Sequence, residues 1–130
     1  MQQNELVMEL TQEQGGGRET QVQPPKPVWE QFFGVLLDAS LRPTYRLENM
    51  KDKTVEQRKV VKHHHNLTLE IGDAVLPRPA IIRMRRVGPN SFAYWVYRPP
   101  SRDYSHCKWM LANLGQTTAD RRWLIISRDT

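Results

Sequence analysis

Arginine and aromatic side chains are concentrated in one segment, AIIRMRRVGPNSFAYWVYRPP, which spans residues 80–100. Guanidinium groups bind phosphates and aromatic rings stack on unpaired bases, so this composition is typical of sheet surfaces that bind nucleic acid. Successive side chains of a strand point to opposite faces. With Pro89 and Asn90 at the centre of a type I turn, Val87 lies opposite Phe92. The alternation then predicts one basic and aromatic face, which contains Arg83, Arg85, Phe92, Tyr94 and Arg98, with Ile81, Val87 and Val96 among them.

The other face of the predicted hairpin is apolar. Its side chains, which can pack against helices, are Ile82, Met84, Ala93, Trp95 and Tyr97. The basic and aromatic face has three open interpretations: it binds nucleic acid, it binds a protein partner or a second copy of the chain, or it is an ordinary sheet surface stabilised by cation–π contacts. In a further alternative, residues 40–66 cover it.

Two other groups of residues favour a binding function. Lys59 and Lys62 precede the three histidines 63–65, and this second basic run is predicted to add to the nucleic-acid surface. Trp109, beside Lys108, falls on the side of a predicted helix that is opposite its apolar residues. An exposed tryptophan is typical of an interface anchor, so Trp109 and Lys108 are candidates for contact with a protein partner.

Metal binding, cofactor binding and catalysis have little support in the sequence. Three consecutive histidines cannot all point at one ion, because neighbouring side chains diverge in both helices and strands. The chain has no Gly-rich phosphate loop, no nucleophile motif and no Asp-x-Lys or Glu-x-Lys motif. The sequence therefore predicts no metal, no cofactor and a non-enzymatic function. A metal-dependent nuclease that uses His64, Glu70 and Asp73 is a third alternative.

The composition bounds the class of protein. The 130 residues carry a net charge of +5, and residues 1–27 have four acidic and only two basic side chains, so the rest of the chain is strongly basic. Cys107 is the only cysteine, which excludes an intramolecular disulfide and fits a reducing compartment. The start of the chain has neither a basic region nor a long apolar run, and no stretch is long enough to span a bilayer. We expect an intracellular, cytoplasmic protein without a membrane partner, a nuclear location remaining open.

The predicted organisation is a flexible N-terminal arm, residues 1–26, followed by a single domain, residues 27–130. The arm is rich in Gln, Glu, Gly and Pro, with Leu6, Val7 and Leu10 placed for one or two helical turns. The predicted elements of the domain are a helix from residue 28, a strand over 43–49, a helix or mobile loop over 51–66, a strand over 66–71, the hairpin, a helix over 101–114 and a final strand over 121–127.

These elements predict an α+β fold. It has a small, mostly antiparallel sheet of about four to five strands, with two to three helices packed on one face. Ser101, Asp103 or Ser105 can cap the second helix, and Gly115 suits a left-handed C-terminal position. The apolar run of the final strand favours an interior place in the sheet.

Overall fold

The computed structural model describes residues 2–10, 21–36, 40–63, 66–71, 79–118 and 121–129. Most of these residues lie in strands, which are β1 Gln2–Leu10, β2 Gln21–Val22, β3 Thr44–Asn49, β4 Val55–Lys59, β5 Val61–His63, β6 Asn66–Glu70, β7 Ala80–Gly88, β8 Ser91–Tyr97, β9 Gln116–Thr118 and β10 Arg121–Asp129. Helix α1 is a single turn, Lys26–Val28, continued by a π-helical turn, Trp29–Phe33. Helix α2 spans Arg102–Leu114.

The strands form a seven-stranded sheet in the order β4-β3-β8-β7-β1-β10-β9 and a three-stranded sheet in the order β2-β6-β5. In the large sheet β3 pairs with β8 in parallel, and the other neighbours are antiparallel. The predicted small sheet of four to five strands with two to three helices is therefore wrong. It missed three strands of the large sheet: β1 and β4, which were predicted as a flexible arm and as a helix or loop, and the short strand β9.

Strand β1 lies in the centre of the large sheet, between β7 and β10. Leu6, Met8 and Leu10 are buried on one face, and Glu5 and Val7 on the other. Residues 2–10 thus form neither helical turns nor a flexible arm. In so short a segment the apolar residues fit helical spacing as well as alternation, and only pairing with two neighbouring strands decides between them. Residues 11–20 of the predicted arm lie outside the described residues.

The main core lies between the large sheet and the three-stranded sheet. An aromatic cluster fills part of it: the ring of Phe33 stacks on Tyr45 with centroids 5.5 Å apart, and Phe92 lies 4.9 Å from Tyr45. Phe32 and Trp29 complete the cluster from the π-helical turn. The predicted first helix ends early, because Gly34 adopts a left-handed conformation with φ 72°.

Helix α2 packs on the opposite face of the large sheet. Its Ser101 side chain accepts a hydrogen bond from the Tyr104 backbone N–H at 3.1 Å, so Ser101 is the cap among the three predicted candidates. Cys107 and Leu111 are buried with residues of β1, β7 and β10. The first helical segment and α2 therefore flank the sheet, so the prediction that helices share one face is wrong.

Gly115 ends α2 in an extended conformation, not in the predicted left-handed one. A Cβ at this position would lie 2.6 Å from the Leu111 carbonyl oxygen, so close approach of the backbone explains the glycine. None of the helices within the described ranges has the length and apolar character needed to cross a membrane.

Candidate nucleic-acid interface

The β7–β8 hairpin turns at Pro89 and Asn90, as predicted, but its register differs by one residue. Arg86 pairs with Phe92 and Gly88 with Ser91, with an irregularity at Val87 between them. Neither turn residue has a positive φ, so the turn is not of the primed types whose twist matches that of two-residue hairpins. An extra residue on one strand absorbs such a mismatch.

This shift changes which residues share a face of the hairpin. Phe92 and Tyr94 lie with Ile82 and Met84 in the main core, where the two rings are 0% and 3% exposed. The prediction that they stack on bases is therefore wrong. Each strand divides between faces as predicted, but the faces of the two strands combine differently. Trp95, expected in the core, shares its face with Arg83.

The part of the large sheet that α2 does not cover forms an exposed surface. Helix α2 packs on β1, β7 and β10, whereas residues of β3 and β4 on the same side are mostly exposed. Cross-strand pairs connect this side from β7 through β8 and β3 to β4. We call this surface the open face; its residues are Thr44, Arg46, Glu48, Val55, Gln57, Lys59, Arg83, Arg85, Ala93 and Trp95.

Glu5 of β1 joins the two arginines of the open face. Its Oε2 accepts hydrogen bonds from Nε and Nη2 of Arg83 at 3.1 and 2.7 Å, and its Oε1 accepts one from Nε of Arg85 at 3.0 Å. The Glu5 side chain is 1% exposed, against 25% for Arg83 and 37% for Arg85. Both guanidinium groups contact the ring of Trp95, at 5.9 and 5.4 Å from its centroid.

Glu5 also determines the electrostatics of this cluster. Partial burial by itself lowers the pKa of Arg83, but the hydrogen bonds and the negative charge of Glu5 outweigh it, so the pKa is raised. Arg86, on the core side, differs: burial lowers its pKa, opposed by Tyr45. It donates to the backbone oxygens of Pro89 and Phe32, both at 2.7 Å, and so ties the turn to the π-helical segment. Arg86 is thus an anchor of the core, and the cluster around Glu5 is available at the surface.

The remaining predicted site residues do not all lie on one surface. Lys59 lies on the open face, at the edge strand β4. Lys62 is exposed on β5, in the other sheet, and Arg98 is exposed in the connection to α2. Trp109 and Lys108 are exposed on α2, with Trp109 58% exposed and His106 stacked beside it. The predicted partner-binding pair therefore lies on α2, and the predicted nucleic-acid-binding residues are distributed over the hairpin, β4, β5 and the connection to α2.

Two residues of the open face region were missed by sequence reasoning. Arg46 is exposed on β3, beside β8. The alternation of Thr44, Arg46 and Glu48 with buried Tyr45 and Leu47 is a signal that could have found it. Glu5 has no comparable signal, because its role depends on the pairing of β1 with β7.

The described part of the chain holds no group of three His, Cys, Asp or Glu side chains able to share a metal ion. Of the residues weighed for a metal-dependent nuclease, His64 and Asp73 lie outside the described residues. Cys107 is buried against β7 and β1, and burial raises the pKa of its thiol.

Comparisons with known proteins bear on the fold. No model of a protein family matches the chain, and no curated protein matches its sequence. Among solved structures, the N-terminal domain of Helicobacter pylori LlaJI.R1 is similar, with a TM-score of 0.71 and 9% sequence identity. The similarity covers 97% of this chain and 99% of that domain. At this identity the likeness concerns the fold alone, so the chain shares the fold of that domain along nearly its whole length.

Proposed function

We propose that this protein binds nucleic acid through the open face of its large sheet. The observation that carries the proposal is that two basic hairpins, β3–β4 and β7–β8, lie side by side in the large sheet. The β3–β4 hairpin, residues 44–59, contains five Lys or Arg and three Asp or Glu, and the β7–β8 hairpin, residues 80–97, contains three Arg and no acidic residue. The parallel pairing of β3 with β8 joins the two hairpins side by side. A basic, uncovered surface of this kind attracts a polyanion.

Contacts with phosphates fit the open face better than stacking on bases. Trp95 is the aromatic residue of this face, half-buried and already in contact with Arg83 and Arg85. Arg46 and Lys59 are exposed. The fold likeness to the N-terminal domain of Helicobacter pylori LlaJI.R1 is compatible with nucleic-acid binding and adds support only for the architecture.

The test compares two double variants with equal loss of charge. R46Q/K59Q removes two charges from the open face, and K62Q/K108Q removes two from β5 and α2. All four side chains are exposed. Binding of a short mixed-sequence DNA duplex, and of matching single strands of DNA and RNA, is measured from about 50 mM salt upward. For R46Q/K59Q we expect weaker binding and a slope of log K against log salt that shrinks by about two for the duplex.

The control K62Q/K108Q should change the salt slope by much less. Equal losses in the two double variants would show that overall charge, and not the open face, determines binding. A wild-type protein without affinity for any of these nucleic acids would contradict the proposal. It would favour a protein partner on the same face or at Trp109, which a pull-down with the same variants tests.

Arg83 and Arg85 are less suitable for this first test. Replacing both by Gln would leave the Glu5 carboxylate buried without its two cationic partners, a change that costs about 3–5 kcal/mol in other buried ion pairs. A loss of binding could then reflect loss of the fold.

A further inference from the structure

We propose that the guanidinium group of Arg85 is preorganised to bind one phosphodiester group, and we call this guanidinium group the grip. Glu5 is the positioning residue that holds it. This inference rests on the proposed nucleic-acid binding and adds the identity of a specific contact and of a residue that acts through it. Glu5 and Arg85 are direct neighbours across the β1–β7 pairing.

The bonds of Glu5 fix the orientation of both guanidinium groups. One carboxylate oxygen accepts two hydrogen bonds from Arg83, and the other accepts the Nε–H of Arg85. Since the carboxylate is almost completely buried, water competes little with it for these donors. An arginine held at Nε by a buried partner loses less freedom on binding than a long side chain free in solvent.

The edge of Arg85 that Glu5 leaves unused is the edge that suits a phosphate. A guanidinium group has five N–H donors, and Glu5 takes the one on Nε. Nη1 and Nη2 carry the other four, and no acceptor for them occurs among the described residues. These two nitrogens form a planar fork that matches two oxygens of a phosphate. Arg85 is 37% exposed, so a ligand can reach the fork.

The charge of the cluster also fits a phosphodiester. Two arginines and one carboxylate leave one positive charge, the complement of a single phosphodiester. The Trp95 ring, whose centroid is 5.4 Å from the Arg85 guanidinium, lies against one side of it. A lysine would supply the charge without the fork.

The experiment compares E5Q with E48Q in binding to the mixed-sequence duplex. Both changes remove one negative charge, and Glu48 lies on the open face in the same cross-strand row as Arg85, separated by Ala93. A glutamine at position 5 can accept through one oxygen only, so one arginine loses its partner. We expect E5Q to bind about tenfold more weakly, the equivalent of one charge-assisted hydrogen bond. E48Q should bind about twofold more tightly, because it only makes the surface more positive.

A second variant, R85K, keeps the charge and removes the fork. We expect it to bind about tenfold more weakly than wild type, and it carries the test alone if thermal melting shows that E5Q is unfolded. Tighter binding by a folded E5Q, as in E48Q, or unchanged binding by R85K would overturn the grip. If the wild type binds and R46Q/K59Q weakens binding, either of these two E5Q or R85K results refutes the role of Arg85 and Glu5 and leaves the proposed function standing. Absence of wild-type binding refutes the proposed function itself.

Discussion

At the scale of single residues, the tryptophans show how differently the same side chain is used. Trp29 is 1% exposed within the aromatic cluster, whereas Trp109 is 58% exposed on α2. Trp95, predicted to lie in the core, is half-buried on the open face. Burial of the ring, and not its presence, therefore determines what each tryptophan contributes to stability.

We expect Trp29→Ala to destabilise the fold by about 3–5 kcal/mol, because it removes a large buried ring and leaves a cavity. Trp109→Ala should cost less than about 1 kcal/mol, since its ring is largely in solvent. The free energy of unfolding in urea measures both, with the wild type as reference. If Trp109→Ala proved the more damaging change, the side of α2 described as facing the sheet would be wrongly assigned.

At the scale of elements, β1 is the strand on which the open face depends. It pairs with β7 and β10, supplies Leu6, Met8 and Leu10 to the core, and carries Glu5 to the arginines. Loss of β1 cannot be compensated by another strand of the sheet, because both of its neighbours, β7 and β10, would lose the backbone hydrogen bonds that they make with it.

We expect deletion of residues 1–10 to abolish cooperative unfolding, whereas removal of a flexible arm would leave the melting temperature unchanged. The physical reason is the loss of two strand pairings together with buried side chains. Circular dichroism with heating distinguishes the two results. The matched point variant Leu6→Ala should fold and lose about 2–5 kcal/mol of stability. A truncated protein that melts like the wild type would contradict the central position of β1.

At the scale of the whole molecule, burial of tyrosines links stability to pH. Burial raises the pKa of Tyr45 to about 12, opposed by the charge of Arg86. Burial also raises the pKa of Tyr94 to about 12, with Glu56 and Asp52 adding to the shift. An ordinary tyrosine has a pKa near 10. The folded state therefore holds these protons more tightly than the unfolded state, and the resulting stability is complete below about pH 10.

This stability should be lost as the pH rises from about 10 to about 12, so we expect alkaline unfolding in that range. Tyr45→Phe should move the midpoint to higher pH, because it removes a buried, ionisable hydroxyl group that has no hydrogen-bond partner among the described residues. Circular dichroism followed against pH, with the tyrosinate absorbance, measures the midpoint. An unchanged midpoint in Tyr45→Phe would contradict the link between Tyr45 ionisation and unfolding.

The sequence by itself determined the local elements whose signals are short-range. The strand Asn66–Glu70, the turn at Pro89 and Asn90, the Ser101 cap and the final strand were predicted from alternation, turn residues and capping residues. It also predicted that Arg83 and Arg85 share a face of their strand and that Trp109 lies away from the apolar side of its helix. These properties depend on neighbours within a few residues, which a sequence displays directly.

The tertiary structure decided everything that depends on pairing over long distances. Segment 2–10 became a strand because β7 and β10 lie on its two sides, and the irregularity at Val87 moved Phe92 and Tyr94 into the core. Glu5 reached Arg83 across 78 positions of the chain. Strand periodicity has a period of two, so a shift of one residue exchanges the buried and exposed sides of a strand. The composition of the open face therefore follows from strand register, which only the folded chain fixes.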